Sequence, residues 1–288
     1  MTVKSFAKIN LGLEVVGERP DGYHDIRTLF QTVSLADELE IEPAPAGVIR
    51  VDGDDPSVAW DETNLVHRAA RLLLEARGTA AGARITVRKS VPAGKGLGGG
   101  SSNAAAALLA LNRLWRTALG ADELAGLAVR LGADVPFFLH GGLCLGEGVG
   151  ERLTRLPDLA PLPCLFVFPP FPIRTAAIYA GLGPTLTFEG KISKIMRFLE
   201  SGDFGLLEND LERVIFRAHP ELERWKTFFR ERGALVAQVS GSGSAVYGLF
   251  ADAESAREAQ RWLPGTTDAR LAATLPREGY WAEIGAGA

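Results

Sequence analysis

The first fifty residues alternate between apolar and polar positions and are rich in β-branched and aromatic side chains. Such alternation is typical of half-buried strands, and turn residues such as Arg-Pro-Asp-Gly separate the segments. The pattern predicts antiparallel strands at VKSFAKINLGLEVVG, IRTLFQTVSL, DELEIE and GVIRV.

Helical spacing of apolar residues begins after Thr63, which is the predicted N-cap of a helix that stops at Gly78. A strand at ARITVRKSVP and a glycine-rich loop come next. The segment SNAAAALLALNRLW then predicts an amphipathic helix capped by Ser101 or Ser102. A further helix, ADELAGLAVRLG, is predicted to end at Gly132.

Proline is dense from Pro157 to Pro172, which predicts a domain boundary near residue 155 and a new strand within PCLFVFPP. The remaining predictions are helices around 174–180, 191–199 and 221–232, strands at ALVAQVS and AVYGLF, and a helix at DAESAREAQRWL. Strands and helices mix without strict alternation, which favours an α+β fold with domains 1–155 and 156–288.

Composition narrows the class of protein. The 288 residues, 47% hydrophobic, are more than most single cores accommodate, which favours two domains. The net charge of −4 is spread along the chain, and the nearest basic cluster, RWKTFFRERG, is interrupted by aromatic residues, so no nucleic acid partner is expected. We also expect no membrane span and no targeting segment. Cys144 and Cys164 stand alone in apolar stretches, which fits a reduced cytoplasmic protein.

The stretch PAGKGLGGGSSNAAA joins a predicted strand to a predicted helix and forms a candidate phosphate-binding loop. Free backbone N–H groups and the positive end of the helix dipole both attract an anion there. The predicted nucleotide-binding residues are Pro92, Ala93, Gly94, Lys95, Gly96, Leu97, Gly98, Gly99, Gly100, Ser101 and Ser102. For Lys95 a phosphate contact and an exposed loop lysine are both open, and no catalytic role is assigned to it. A Walker A loop is excluded because Lys95 is followed by glycine. A dinucleotide fold is rejected because two helices replace the required second strand, and the protein-kinase motifs are absent.

Four blocks carry a family resemblance: SFAKINLGLEVVGERPDGYHDIRTLFQTV, PAGKGLGGGSSNAAAALLALN, LGADVPFFLHGG and VSGSGSAVYGLF. They resemble the GHMP kinases of galactose, homoserine, mevalonate and phosphomevalonate, and among these the family that acts on 4-diphosphocytidyl-2-C-methyl-D-erythritol. The blocks span most of the chain from Ser5 to Phe250, whereas 183–232 matches only loosely.

The resemblance implies a two-domain fold, with a ribosomal-protein-like α+β domain first, a ferredoxin-like α/β sandwich second, and the active site in the cleft between them. It implies ATP-dependent phosphorylation of the substrate's 2-hydroxyl in the non-mevalonate isoprenoid precursor pathway. The partner is then a small molecule. Mg²⁺ is expected from the chemistry, since a metal screens the phosphate charge, and the sequence does not decide whether Ser101 or Ser102 lies near it.

The resemblance also assigns the catalytic pair. Asp134 accepts the hydroxyl proton, while Lys8 orients the hydroxyl and offsets charge on the transferring phosphoryl. Phe6, Lys8 and Asn10 share one face of the strand if its pleat alternates. A lysine about 4 Å from a carboxylate attracts it by about 4 kcal/mol at an effective dielectric near 20, which favours an ionised Asp134. Positioning and charge are therefore expected to outweigh proton abstraction.

The remaining predicted residues face the substrate. By the resemblance, Tyr23 and His24 hold the cytosine, since stacking and edge hydrogen bonds recognise a base. Asn10, Thr175 and Tyr179 are further predicted substrate contacts, although Tyr179 is equally compatible with a helix core position. Phe30 is undecided, and the loop at 241–244 is either a plain hairpin turn or a secondary site element.

Two alternative functions stay open at this stage. One is a different GHMP kinase, such as a homoserine or mevalonate kinase, against which Lys8 and the Tyr23-His24 pair argue. The other is a non-catalytic nucleotide-binding or RNA-associated protein, because fold alone does not give function. The presence of Lys8, Asp134 and the glycine loop in one chain favours an enzyme.

Overall fold

The computed structural model of the chain describes residues 1–78, 80–183 and 192–285, and these form two sheets with helices against both. The strands are β1 (Thr2–Glu18), β2 (His24–Pro43), β3 (Ile49–Gly53), β4 (Ala83–Arg88), β5 (Leu143–Gly148), β6 (Arg152–Arg155), β7 (Pro163–Val167), β8 (Val236–Val239), β9 (Val246–Leu249) and β10 (Ala269–Ala273). The helices are α1 (Leu65–Arg77), α2 (Gly99–Leu114), α3 (Ala121–Leu131), α4 (Thr175–Ala180), α5 (Lys194–Ser201), α6 (Glu212–Ala218), α7 (Pro220–Glu231), α8 (Ala253–Arg261) and α9 (Arg277–Gly285). The predicted α+β class is confirmed.

The first sheet has the order β3-β4-β2-β5-β6, and β1 also pairs with β2. The antiparallel pairing predicted for the first strands is confirmed for β1 and β2. Two expectations were wrong. IRTLFQTVSL and DELEIE form one continuous strand, β2, and β3 runs parallel to β4.

The second sheet has the order β10-β7-β9-β8, with every neighbouring pair antiparallel. The strands and helices predicted after residue 160 are present, although the helix predicted over 191–199 begins at Lys194 and residue 191 lies outside the described residues. No helix in the described ranges is long and apolar enough to cross a membrane. The boundary near residue 155 stays a prediction, and α9 returns to pack Tyr280 against Phe6 of β1.

Strand β1 packs against the second sheet on one side and borders a cleft on the other. Ala7, Ile9 and Leu11 are completely buried against residues of the second sheet, whereas Lys8 and Asn10 point to a cleft on the other side. A register shift between Phe6 and Lys8 breaks the strand's alternation. The expectation that Phe6 shares a face with Lys8 and Asn10 is wrong, because such an irregularity re-aims the side chains that follow it.

Two helix caps differ from prediction. Asn64, not Thr63, caps α1, accepting a hydrogen bond from the Val66 N–H at 2.9 Å. Helix α2 begins at Gly99 and is capped by Gly98, which has a left-handed φ of 69° and no side chain to cap with. The predicted serine caps lie inside the first turn. A glycine cap leaves the first N–H groups of α2 without a side-chain acceptor from the cap residue.

Candidate active site

One cleft of about 780 Å³ opens beside β1, the glycine loop and helix α4. All the predicted catalytic and substrate residues line it: Lys8, Asn10, Tyr23, His24, Asp134, Thr175 and Tyr179. Phe30, Gly96, Gly98, Gly241 and Ser242 complete its inner wall, so the glycine loop and the loop at 241–244 border the same space.

Lys8 is only 4% exposed and lies at the bottom of this cleft. Its Nζ donates a hydrogen bond to Asn10 Oδ1 at 2.7 Å, lies 3.5 Å from Asp134 Oδ2, and sits 5.2 Å above the centre of the Phe30 ring. An ammonium buried this deeply needs compensation for lost water, and these three neighbours supply it. Its position is therefore fixed by several contacts at once.

Asp134 follows α3 on a short turn in which the Val135 N–H donates to the Gly132 carbonyl at 3.1 Å. About a third of its side chain is exposed, and that side faces the cleft lined by Tyr179 and Thr175. The carboxylate is thus held by Lys8 on one side and open to a bound molecule on the other.

Asn10 connects Lys8 to the rest of the sheet. Its Oδ1 accepts from Lys8, its Nδ2 donates to Thr28 Oγ1 at 2.8 Å, and the Thr28 hydroxyl donates to the Gly12 carbonyl at 2.8 Å. Although Asn10 lines the cleft, one donor and one acceptor position of its amide are used within this chain. Asn10 therefore orients the Lys8 ammonium, whether or not it also contacts a substrate.

The glycine loop is fixed to β1 by its backbone, since the Lys8 N–H donates to the Leu97 carbonyl at 3.0 Å. The first helical hydrogen bond of α2 runs from the Ser102 N–H to the Gly98 carbonyl. The N–H groups before it have no acceptor within the helix and form a ready anion site. A second cleft of about 410 Å³ lies along the outside of this loop and is also lined by Trp60, Leu65 and Lys89.

The two serines of the loop have different surroundings. Ser102 is 1% exposed, and its Oγ accepts a hydrogen bond from Ser5 Oγ at 2.7 Å. Ser101 is half-buried and lines the second cleft. Of the two hydroxyls, only that of Ser101 borders a space large enough for a nucleotide.

The loop at 241–244 connects β8 and β9, as a hairpin turn would, and the residues on either side of it donate hydrogen bonds to the glycine loop. Ser240 Oγ donates to the Gly96 carbonyl at 2.9 Å, and the Ala245 N–H donates to the Lys95 carbonyl at 3.1 Å. A Cβ placed on Gly241 would lie 3.1 Å from Asn10 Oδ1. Both halves of the chain thus build the floor of the cleft.

A further wall of the cleft that holds Lys8 and Asp134 is aromatic. Tyr23 is 65% exposed at the rim, and the rings of His24 and Tyr179 lie 5.4 Å apart. Burial, with a smaller contribution from the charge of Asp134, raises the pKa of the Tyr179 phenol, so its hydroxyl stays protonated. Thr175 Oγ1 lies 2.7 Å from Ser242 Oγ and ties α4 to the loop at 241–244.

Sequence reasoning did not identify Asn209, whose side chain holds the backbone of the loop at 241–244 without lining the cleft. Its Nδ2 donates to the Val239 carbonyl at 2.9 Å and to the Gly241 carbonyl at 2.7 Å. The neighbouring backbone pairs with Leu13 of β1. A buried asparagine in the loosely matching region 183–232 gave no periodic or motif signal by which to find it.

Within residues 1–78, 80–183 and 192–285, no group of three or more His, Cys, Asp and Glu side chains is placed to hold a metal ion. Mg²⁺ that arrives with a nucleotide needs few protein ligands, because phosphate oxygens and water complete its coordination. Asp134 lines the first cleft and Ser101 lines the second, and each offers an oxygen atom of the kind that Mg²⁺ takes, so these residues fit an ion that is held mainly by the nucleotide.

Comparison with known families places this geometry in a class. The family described as "GHMP kinases N terminal domain" matches residues 64–142, and "GHMP kinases C terminal" matches residues 190–265. A homoserine kinase structure from Cytophaga hutchinsonii has a TM-score of 0.74 over 97% of this chain and 96% of that one, at 19% identity, which shows the shared fold. The chain is therefore a small-molecule kinase of the GHMP class.

Relatives of higher identity narrow the class. A 4-diphosphocytidyl-2-C-methyl-D-erythritol kinase of Pelotomaculum thermopropionicum is 44% identical over 90% of this chain and 92% of its own length. One of Symbiobacterium thermophilum is 40% identical over 96% and 100%. A crystal structure of 4-(cytidine 5'-diphospho)-2C-methyl-D-erythritol kinase has a TM-score of 0.82 at 40% identity, covering 95% of this chain and 99% of that one. This chain belongs to the 4-diphosphocytidyl-2-C-methyl-D-erythritol kinase family.

Proposed function

We propose that this chain transfers the γ-phosphoryl group of ATP to the 2-hydroxyl of 4-diphosphocytidyl-2-C-methyl-D-erythritol, in the non-mevalonate route to isoprenoid precursors. One observation carries the proposal: the Lys8–Asp134 pair, 3.5 Å apart, shares a cleft with the glycine loop and with an exposed aromatic rim. The terminal phosphate of ATP and the acceptor hydroxyl can occupy that space together, with the Asp134 carboxylate as the general base. The family membership supports the same reaction.

The catalytic roles follow from the surroundings of each group. The acceptor hydroxyl lies between the Lys8 ammonium and the Asp134 carboxylate, and Asp134 receives its proton as the new bond to phosphorus forms. The Lys8 ammonium stabilises negative charge on the phosphoryl oxygens. Because phosphoryl transfer passes through a loose transition state, holding the reacting atoms in line matters more than early deprotonation.

ATP binds along the glycine loop, with its phosphates on the N–H groups at the start of α2 and its base in the cleft bordered by Trp60 and Leu65. Mg²⁺ accompanies the nucleotide and neutralises phosphate charge. Ser101 is the serine proposed to lie near the ion. We place the reaction in the cytoplasm as part of this proposal, because Cys144 and Cys164 are free, buried thiols.

The direct test measures ADP release with magnesium-ATP and 4-diphosphocytidyl-2-C-methyl-D-erythritol, beside homoserine and mevalonate as alternative acceptors. We expect turnover with the cytidylyl acceptor alone. Turnover of homoserine or mevalonate without the cytidylyl compound would assign a different GHMP reaction. ATP binding without acceptor-dependent ADP release would indicate a non-catalytic protein.

Replacement of Tyr23 by alanine is expected to raise KM for the cytidylyl acceptor about tenfold, because stacking of a base on an aromatic ring contributes about 1–3 kcal/mol. KM for ATP should change less than about twofold, since Tyr23 lines the cleft that holds Lys8 and Asp134 and does not line the cleft along the outside of the glycine loop. Steady-state kinetics with each substrate varied in turn provide the measurement. Tyr23→Phe is the control, as it keeps the ring, and equal KM values for the two variants would exclude stacking.

A further inference from the structure

The ammonium of Lys95 does not point into open solvent from the glycine loop. Its Nζ donates to the Pro169 carbonyl at 2.6 Å and to the Phe171 carbonyl at 2.7 Å. Both acceptors lie in the segment between β7 and α4, more than seventy positions further along the chain. The side chain therefore ties the glycine loop to the second half of the molecule.

Other bonds converge on the same point. Ser244 Oγ also donates to the Phe171 carbonyl, at 2.5 Å, and the Lys95 carbonyl accepts from the Ala245 N–H at 3.1 Å. Three segments, around residues 95, 170 and 244, thus meet at one place. We refer to Lys95, Pro169, Phe171 and Ser244 as the loop clamp.

We infer that Lys95 is a positioning residue, which fixes the glycine loop in its nucleotide-binding shape through the loop clamp, and that it is not a phosphate ligand. The inference rests on the proposed function, in which this loop holds ATP. An ammonium has three donors, and two of them are already used by carbonyl groups. Moving Lys95 to a phosphate would take both bonds from those carbonyls.

The loop needs such a restraint because of the residues beside Lys95. Gly94 and Gly96 have left-handed φ values of 68° and 79°, and glycine gives the backbone many other conformations to sample. If only part of the population has the binding shape, the apparent dissociation constant rises in inverse proportion to that fraction. A clamp that exists before ATP arrives therefore increases affinity without contacting the ligand.

The two possible roles of Lys95 differ in the nucleotide-free enzyme. A phosphate ligand has no effect on loop order until ATP is present. A clamp residue restrains the loop at all times, and its loss should loosen every segment that meets there. Local amide exchange without nucleotide thus separates the roles, and it does not depend on which acceptor the enzyme phosphorylates.

The experiment compares Lys95→Met, Lys95→Arg and the parent chain by hydrogen–deuterium exchange with mass spectrometry, without nucleotide. Lys95→Met should increase deuterium uptake in peptides covering 92–99, 171–181 and 240–245. It should also weaken ATP binding about tenfold in titration calorimetry. Lys95→Arg should bring both the deuterium uptake and the ATP affinity close to those of the parent chain, because a guanidinium can donate to two carbonyls. Lys4→Met, which removes an exposed lysine paired with Glu283, is the control and should change neither quantity.

Two results would overturn the inference. Unchanged uptake in nucleotide-free Lys95→Met with weakened ATP binding would make Lys95 a phosphate ligand. Unchanged uptake and unchanged ATP binding would leave it without either role. As a second variant, Ser244→Ala should increase uptake in the same three peptides, and its effect on ATP binding should be non-additive with that of Lys95→Met, since both donors share the Phe171 carbonyl.

Discussion

Lys8→Met is expected to lower kcat about a thousandfold, because it removes the buried cation that faces the transferring phosphoryl group. Methionine has a similar length and packs in the same space, so the loss should come from charge and hydrogen bonding. KM for ATP should change only a few-fold, since the proposed nucleotide contacts are backbone N–H groups of the loop. Single-turnover and steady-state kinetics at saturating acceptor measure the effect.

Lys4→Met is the matched control for this variant. Lys4 lies on the same strand, and its side chain is 49% exposed and pairs with Glu283 at the surface. An exposed ion pair contributes little to stability, so kcat and the melting temperature should stay close to those of the parent. A Lys8→Met enzyme that keeps more than about a tenth of the parent's kcat would contradict the role assigned to Lys8.

Asp134→Asn tests the other half of the pair in the same assay. Asparagine keeps the shape but cannot take a proton, and we expect kcat to fall about a hundredfold. The drop should be smaller than that of Lys8→Met if charge and positioning dominate. Because the two side chains lie 3.5 Å apart, the double variant should lose less than the product of the single losses. Near-normal turnover of Asp134→Asn would exclude its proposed role.

Which segments form helices and which form strands was largely predictable, because the spacing of hydrophobic residues shows which face of a helix or strand is buried. Gly78 ends α1 and Gly132 ends α3, as the sequence predicts. Periodicity does not report the direction of a partner strand, and so the parallel pairing of β3 with β4 was missed. It also does not report a register shift, which is why Phe6 was expected on the same face of the strand as Lys8.

The residues that share the cleft were predictable where a short motif carries its own geometry. The glycine loop, Lys8 and Asp134 were proposed from local blocks, and the structure brings them to one cleft. Contacts between distant segments could not be predicted in this way. Asn209 holds the Gly241 carbonyl, and Lys95 holds two carbonyls of the second half, through pairings that depend on the complete fold. The sequence of the loop alone left the partner of Lys95 open.

Gly96→Ala is expected to lower kcat/KM for ATP about a hundredfold, because a displacement of about 1 Å in a positioning element has effects of that size. Gly96 has a φ of 79°, which L side chains rarely adopt, and a Cβ there would lie 2.0 Å from the Ser240 carbonyl oxygen. Either the loop or the segment at 240–244 must move. Since both segments border the cleft, the movement shifts the anion site relative to Lys8.

The measurement combines ATP titration with a thermal melt, so that a displaced loop can be separated from general unfolding. Gly126→Ala is the control: Gly126 lies in helix α3 with nothing within 4 Å of an added Cβ, and alanine favours a helix over glycine by about 1 kcal/mol. That variant should keep full activity and melt no lower than the parent. A Gly96→Ala variant that binds ATP as tightly as the parent would contradict this prediction. A loop that tolerates the added Cβ is not held against the Ser240 carbonyl, so this close approach would have no part in nucleotide binding.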